Sequence, residues 1–133
     1  MGVQVVPKEE LVNFIGHKFE PGPWIELTQQ RINEFADCTD DHQFIHIDEE
    51  KAAQTPFGGT IAHGFLTLSC LVPMCTGIGV VPENVVMGVN YGLDKVRFIS
   101  PVPVGARVRA VVVLKDVAVV EGGAVFVVGG DED

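Results

Sequence analysis

Basic residues are scarce in this chain of 133 residues, which has 9 Lys plus Arg against 18 Asp plus Glu and a formal net charge of −9. A nucleic-acid duplex or an anionic membrane surface is met by clustered Lys and Arg, whereas the basic residues here are scattered. We therefore expect no nucleic-acid partner and no membrane partner. An anionic small-molecule ligand is not excluded, because a local patch can oppose the net charge.

Cysteine and long hydrophobic runs are scarce as well. The odd count of 3 Cys, without a CxxC pair, is not a disulfide framework and favours a reducing compartment. Residues 1–6 lack the basic start and the long apolar core of a signal peptide. The longest apolar region, residues 61–75, is interrupted by His63, Thr67 and Ser69 and is shorter than the roughly 18 residues of a spanning helix. We expect a cytoplasmic protein.

Apolar residues, in contrast, are abundant, at 47% of the chain against 20% charged residues. A disordered chain needs low hydrophobicity and high charge density, so disorder is excluded as the main state. The length fits a single domain over residues 1–133, since two domains would each be too small to hold a good core. The apolar fraction is high for so small a domain, and we expect part of it to be buried against a partner subunit.

Helical patterns fill the first half of the chain. Pro7 opens a short helix that Gly16 ends, and residues 24–27 read as a short strand. Thr28 has the side chain and the position to cap a second helix, and Asp48 to cap a third. The chain therefore begins as a series of short helices.

The second half begins with an apolar helix and continues as strands. Residues 62–75 are hydrophobic on nearly all sides, which predicts a buried helix. Pro73 should kink or end this helix, because it cannot donate to the carbonyl of Ser69. Val-rich segments then predict strands at residues 85–93, 95–99, 106–119 and 124–128, with a hairpin turn at Gly122-Gly123. The pattern is α+β, an antiparallel β-sheet around a central buried α-helix.

The densest polar cluster consists of Asp40, Asp41, His42 and His46, and His63 follows just before the apolar helix. In an arbitrary protein such a cluster is an acidic turn with partly exposed histidines. Three features weaken that interpretation here. Apolar neighbours surround His46, and a carboxylate five residues before a histidine, across a non-helical turn, can share one water molecule with it. The pair His63-Gly64 also opens the predicted buried helix, whose first free N–H groups can bind a polarised oxygen.

Two other chemistries are weaker alternatives. His42 and His46 have the spacing of zinc ligands, but the Glu of an HExxH motif is missing and Cys38 has no thiol partner nearby. Ser69 lacks the GxSxG elbow of a nucleophile, and its hydroxyl is expected to bond back to the helix backbone.

Residues 35–46 read FADCTDDHQFIH and resemble the hydratase signature of the MaoC-like family. That signature runs Gly-Asp-x-Asn-Pro-aliphatic-His and, after five intervening residues, Ala or Ser; Asp41, Ile45, His46 and Ala52 fall on its Asp, aliphatic, His and small positions. Residues 56–69 and 93–102 look like the loop with the start of the central helix, and like the strand after that helix. The resemblance runs from about residue 7 to 119, and the sequence around His46 is closest to that of the NodN-like branch.

The sequence departs from the family pattern in two places. Asp40, Gln43 and Phe44 stand where the signature has Gly, Asn and Pro. The sequence given stops at residues 131–133, where family members continue through one more strand, which leaves open a sheet that lacks its last strand and has an exposed edge.

The resemblance implies a hot dog fold and an (R)-specific enoyl-CoA hydratase, which adds water reversibly to a trans-2-enoyl-CoA. It implies Asp41 and His46 as the catalytic pair that holds this water, and substrate-binding positions at Gly59, His63, Gly64 and Ser69. Among these positions, the N–H of Gly64 is the candidate hydrogen-bond donor to the thioester carbonyl. His63 is expected to shape the loop rather than to take part in the chemistry.

The same resemblance implies a homodimer that binds an acyl-CoA thioester and needs no cofactor and no metal, since the CoA belongs to the substrate. Two alternatives stay open. One is a hot dog acyl-CoA thioesterase, which would release free CoA thiol. The other is a non-catalytic module that binds an acyl thioester or only dimerises.

Overall fold

The computed structural model describes residues 3–120 and 123–130. The first half of the chain is built mainly of short helices, and the second half contains the two longest strands. The elements are β1 (Gln4–Val6), a 3-10 helix (Lys8–Phe14), β2 (Ile25–Glu26), α1 (Gln29–Thr39), α2 (Phe44–Ile47), α3 (Glu49–Ala53), α4 (Gly64–Ser69), α5 (Leu71–Met74), β3 (Val80–Pro82), β4 (Arg107–Val108), β5 (Val112–Val120) and β6 (Gly123–Gly130). The predicted α+β class is confirmed.

The chain divides into two compact units, of which the first comprises residues 1–23, 75–95 and 109–133. In this unit β1 pairs with β3 in parallel, and β5 pairs with β6 in antiparallel register from Val112 opposite Gly130 to Val120 opposite Gly123. Apolar side chains fill its core, with Leu11, Phe19, Val80 and Leu114 at the centre.

The second unit comprises residues 24–74 and 96–108 and contains every residue predicted to form the site. Strand β2 pairs antiparallel with β4, and helix α1 buries Ile32 and Ala36. A chain of backbone hydrogen bonds fixes the segment before α4: Ile61 donates to the carbonyl of Ile45 at 3.0 Å, and Ala62 donates to that of Val102 at 2.8 Å. This segment therefore holds the start of α4 in register with α2.

Both predicted helix caps are confirmed. The Thr28 hydroxyl accepts a hydrogen bond from the N–H of Arg31 at 3.1 Å, and the Asp48 carboxylate accepts one from the N–H of Lys51 at 3.0 Å. The predicted first helix is a 3-10 helix, and Gly16 follows it in the left-handed region, at φ +87°.

The predicted strands at residues 85–93 and 95–99 were wrong, because residues 85–99 contain no strand and are exposed throughout. The Val-rich composition that suggested them describes side chains that suit a half-buried pleated surface, and the surface has to be supplied by a partner strand. The prediction at residues 106–119 corresponds to β4 and β5, and residues 124–128 lie inside β6. Gly122 of the predicted turn lies outside the described residues.

The apolar segment 62–75 forms α4 and α5, with a break at Cys70. The break lies where Pro73 leaves the carbonyl of Ser69 without its helical donor, as predicted. Burial on all sides was wrong, since Leu66 is 5% exposed while Phe65 and Val72 are 67% and 69% exposed. A uniformly apolar sequence does not tell which of its sides faces the rest of its own chain. No helix among the described residues is long and apolar enough to cross a membrane.

Candidate active site

Asp41 is placed by the end of helix α1. Asp40 has φ 60° and ψ 27°, the left-handed conformation that commonly ends helices, and the N–H of Asp41 then donates to the carbonyl of Ala36 at 3.2 Å. The side chain of Asp41 is exposed, and its Oδ1 accepts a long hydrogen bond of 3.4 Å from the N–H of Gln43. The carboxylate is thus presented just beyond the last turn of α1.

His46 lies on α2, a single helical turn that the sequence did not predict, and only 7% of the residue is exposed. Its Nδ1 lies 2.7 Å from the carbonyl oxygen of Ile61. A carbonyl oxygen can only accept, so Nδ1 carries the hydrogen. In the neutral ring Nε2 then has a free lone pair and can accept a hydrogen bond from water.

The backbone of His46 is held by a second hydrogen-bond chain. The hydroxyl of Thr60, a residue only 1% exposed, donates to Oε1 of Gln29 at 2.5 Å, and Nε2 of Gln29 donates to the carbonyl of His46 at 2.8 Å. Side chains from α1 and from the segment before α4 therefore fix the position of α2.

His63 immediately precedes α4 and is 3% exposed. Its Nε2 donates to the backbone carbonyl of Asp41 at 3.0 Å. Its ring stacks on that of His46, with centroids 3.8 Å apart and planes inclined by 23°, and the ring of Phe35 lies 4.9 Å away. Its buried Nδ1 has no hydrogen-bond partner among the described residues.

The fold brings Asp41, His46 and His63 together. One carboxylate oxygen and one ring nitrogen of each histidine all lie within 4.8 Å of one another. That separation suits a single bridging water, because two hydrogen bonds of about 2.8 Å span up to about 5.6 Å.

The same three residues have the donor types of a metal site. One nitrogen of each histidine already faces a backbone carbonyl, Nδ1 of His46 that of Ile61 and Nε2 of His63 that of Asp41, so only the other nitrogen of each ring could bind an ion. His42, considered with His46 as a ligand, is exposed, and its Nε2 pairs with Asp37 at 2.9 Å.

Gly64 is the first residue of α4, where a backbone N–H has no acceptor inside the helix. A Cβ atom added to Gly64 would lie 2.9 Å from the ring of Phe98, whereas one added to Gly59 would meet nothing within 4 Å. The Ser69 hydroxyl donates to the carbonyl of Phe65 at 2.7 Å, which is the backbone bond expected from the sequence.

Comparison with known proteins places the chain in a family, since the family model described as "MaoC like domain" matches residues 10–132. The chain belongs to the MaoC-like family. This MaoC-like chain is 50% identical over 101 residues to 3-hydroxyacyl-thioester dehydratase Z of Mycobacterium tuberculosis, covering 76% of the chain and 66% of the relative. It is 54% identical over 104 residues to nodulation protein N of Rhizobium leguminosarum, covering 77% of the chain and 64% of the relative. The chain therefore spans about two thirds of the length of these relatives.

Among solved structures, the R-hydratase PhaJ1 of Pseudomonas aeruginosa matches the MaoC-like chain with a TM-score of 0.64. The match has 26% identity and covers 87% of the chain and 69% of that structure. The predicted hot dog fold is confirmed by this similarity.

Sequence analysis of the MaoC-like chain missed three parts of the site. The single turn α2 is too short to show a helical period, and Gln29 and Thr60 are 31 residues apart in sequence. The contacts of His63 to Asp41 and His46 are also distant in sequence. The only local signal was that a histidine directly precedes a predicted buried helix.

Proposed function

We propose that this MaoC-like domain, a single domain over residues 1–133, is an (R)-specific enoyl-CoA hydratase. It adds water reversibly to a trans-2-enoyl-CoA and gives the (R)-3-hydroxyacyl-CoA. The observation that carries this proposal is the closeness of the Asp41 carboxylate to a ring nitrogen of the buried His46, within 4.8 Å. The similarity to a 3-hydroxyacyl-thioester dehydratase and to an R-hydratase supports the same reaction class.

In this mechanism the pair activates a water molecule. The water donates one hydrogen bond to the Asp41 carboxylate and one to Nε2 of His46, which leaves an oxygen lone pair free for the β-carbon. Asp41 acts as the base while His46 orients the water and exchanges protons. If His46 is the base and Asp41 orients the water, the protons balance in the same way. A C–O bond forms at the β-carbon and a proton passes from the pair to the α-carbon, so the pair returns to its starting state.

The thioester carbonyl has to be polarised, because negative charge develops on its oxygen as the enolate forms. The N–H of Gly64 is our candidate donor, since it has no acceptor inside α4. Glycine gives this residue no side chain that could cover the N–H, although the ring of Phe98 occupies the place of a Cβ atom. We propose that Gly59, His63 and Ser69 line the same site.

The proposed reaction needs no organic cofactor and no metal. We propose a homodimer in the cytoplasm as the working form. A second subunit would cover apolar side chains that the single chain leaves exposed, among them Phe65, Val72, Val86, Tyr91 and Ile99. The free state of the three cysteines, Cys38, Cys70 and Cys75, fits a reducing compartment.

The test is incubation of the purified protein with crotonyl-CoA. We expect loss of the conjugated enoyl absorbance, no release of free thiol, and the R enantiomer of the 3-hydroxybutyryl product. Release of free thiol would identify a thioesterase instead. A folded dimer that binds crotonyl-CoA without consuming it would identify a binding module.

A further inference from the structure

His63 makes two contacts that end on the two members of the proposed catalytic pair. Its Nε2 donates to the backbone carbonyl of Asp41 at 3.0 Å, and one face of its ring stacks on His46 at a centroid distance of 3.8 Å. It is also the residue directly before Gly64, at the start of α4. One side chain thus connects both members of the pair to the start of that helix.

The chemistry of the buried ring argues against a space-filling role. Nε2 carries the hydrogen that the Asp41 carbonyl accepts, and the other ring nitrogen, Nδ1, is buried without a hydrogen-bond partner among the described residues. Leaving a buried polar atom unpaired is costly, so a residue that only filled space would be apolar. The imidazole is explained if its N–H and its ring face are both needed.

Few hydrogen bonds hold Asp41 in place, so the contact from His63 matters for its position. It follows Asp40, which is in the left-handed region, and its exposed side chain has only the long bond from Gln43 among the hydrogen bonds of the described residues. Its position is therefore set by its backbone, through the N–H bond to Ala36 at one end and the bond from His63 at the other.

His46 is held at its edge and across its face. Nδ1 donates to the carbonyl of Ile61, which fixes one edge of the ring, and the stacked ring of His63 prevents rotation out of the plane. With both restraints in place, the ring is fixed and the lone pair of Nε2 of His46 points in a single direction.

We propose that His63 is a positioning residue, which sets the distance between the Asp41 carboxylate and the His46 ring and does not itself touch the reacting atoms. The role rests on the proposed hydratase function. It predicts that the loss of either contact lowers kcat more than it raises KM, because substrate contacts remain while the pair is displaced.

Two variants separate the contacts. His63→Phe keeps an aromatic face against His46 but has no donor for Asp41, whereas His63→Gln keeps a donor at similar reach but has no ring. We expect each to lower kcat for crotonyl-CoA by about tenfold or more, with a smaller change in KM. All rates are measured below the unfolding temperature of each variant, so that loss of folded protein does not count as loss of rate.

NMR supplies a readout that does not depend on activity. The amide of His42 shares a peptide group with the Asp41 carbonyl, so His63→Phe should shift its ¹⁵N signal while the ring signals of His46 change little. His63→Gln should do the reverse, because the ring current of the stacked imidazole is lost.

The two readouts distinguish the possible failures. Unchanged kcat in both folded variants overturns the positioning role, and so does a rise in KM alone. If the wild-type protein does not hydrate crotonyl-CoA, the proposed function fails and the NMR arm decides alone. The selective shifts then support the positioning of the two residues, and their absence overturns it.

Discussion

The ring of Phe98 lies directly against Gly64, where a Cβ atom would be 2.9 Å from two of the ring carbons. Real Cβ atoms essentially never come this close to another heavy atom. Gly64 is not in the left-handed region, so the need for glycine here comes from space and not from backbone conformation. The N–H proposed to contact the thioester is thus beside an aromatic ring that is itself 52% exposed.

Replacement of Gly64 by Ala should therefore push the Phe98 ring away. We expect Gly64→Ala to lower the free energy of unfolding by about 1 kcal/mol in urea, as overpacking does, and to slow crotonyl-CoA hydration. In the Phe98→Ala background the added methyl group has room, so the cost of Gly64→Ala should largely disappear. An equal cost in both backgrounds would show that the ring is not the obstacle.

Asp40 has φ 60° at the position where the family signature has glycine. Left-handed backbone costs a residue with a Cβ atom roughly 1 kcal/mol, and Asp tolerates it better than Ala. We expect the free energy of unfolding to rank Asp40→Gly highest and Asp40→Ala lowest, with a difference of about 1 kcal/mol between those two variants. Urea unfolding of the three proteins checks the order, and an Ala variant as stable as the Gly variant would contradict it.

The hydrogen-bond chain from Thr60 through Gln29 to the His46 carbonyl gives a third prediction. Thr60→Val is nearly isosteric but removes the buried hydroxyl, and we expect a loss of about 1–2 kcal/mol in unfolding free energy together with a lower kcat. The matched control is Thr39→Val, which removes an exposed hydroxyl bonded to the Phe35 carbonyl within α1. If the two changes lower the free energy of unfolding equally, the buried hydrogen-bond chain stabilises the protein no more than the exposed bond of Thr39 does.

Cysteine labelling tests the environment of Cys75. Burial raises the pKa of the Cys75 thiol above its ordinary value, and the residue lines an apolar cavity of about 220 Å³, whereas Cys38 is exposed. The thiolate is the reactive form, so iodoacetamide at pH 8 should modify Cys38 first and Cys75 slowly. The Cys75 rate should keep increasing as the pH rises toward its elevated pKa. Mass spectrometry of the digested protein follows both sites, and equal rates at pH 8 would contradict the burial.

Local interactions were predictable from the sequence, and distant ones were not. The caps at Thr28 and Asp48 depend on residues three positions away, so the sequence shows them directly. The stacking of His63 on His46 depends on how a segment 17 residues further on is held against α2, which no local pattern encodes. The expected strands at residues 85–99 failed for the same reason, because a strand requires a partner that its own composition cannot specify.

The central claim is that the Asp41 carboxylate activates water, and two neighbouring aspartates provide the most direct measurement. The rate of crotonyl-CoA hydration is compared for the wild-type protein, Asp41→Asn and Asp40→Asn. Both changes remove one negative charge, and Asn tolerates the left-handed backbone at position 40. We predict a decrease of about 10²- to 10⁴-fold for Asp41→Asn, the usual loss of a general base, and a rate close to that of the wild type for Asp40→Asn. A folded Asp41→Asn variant with the wild-type rate would contradict the account.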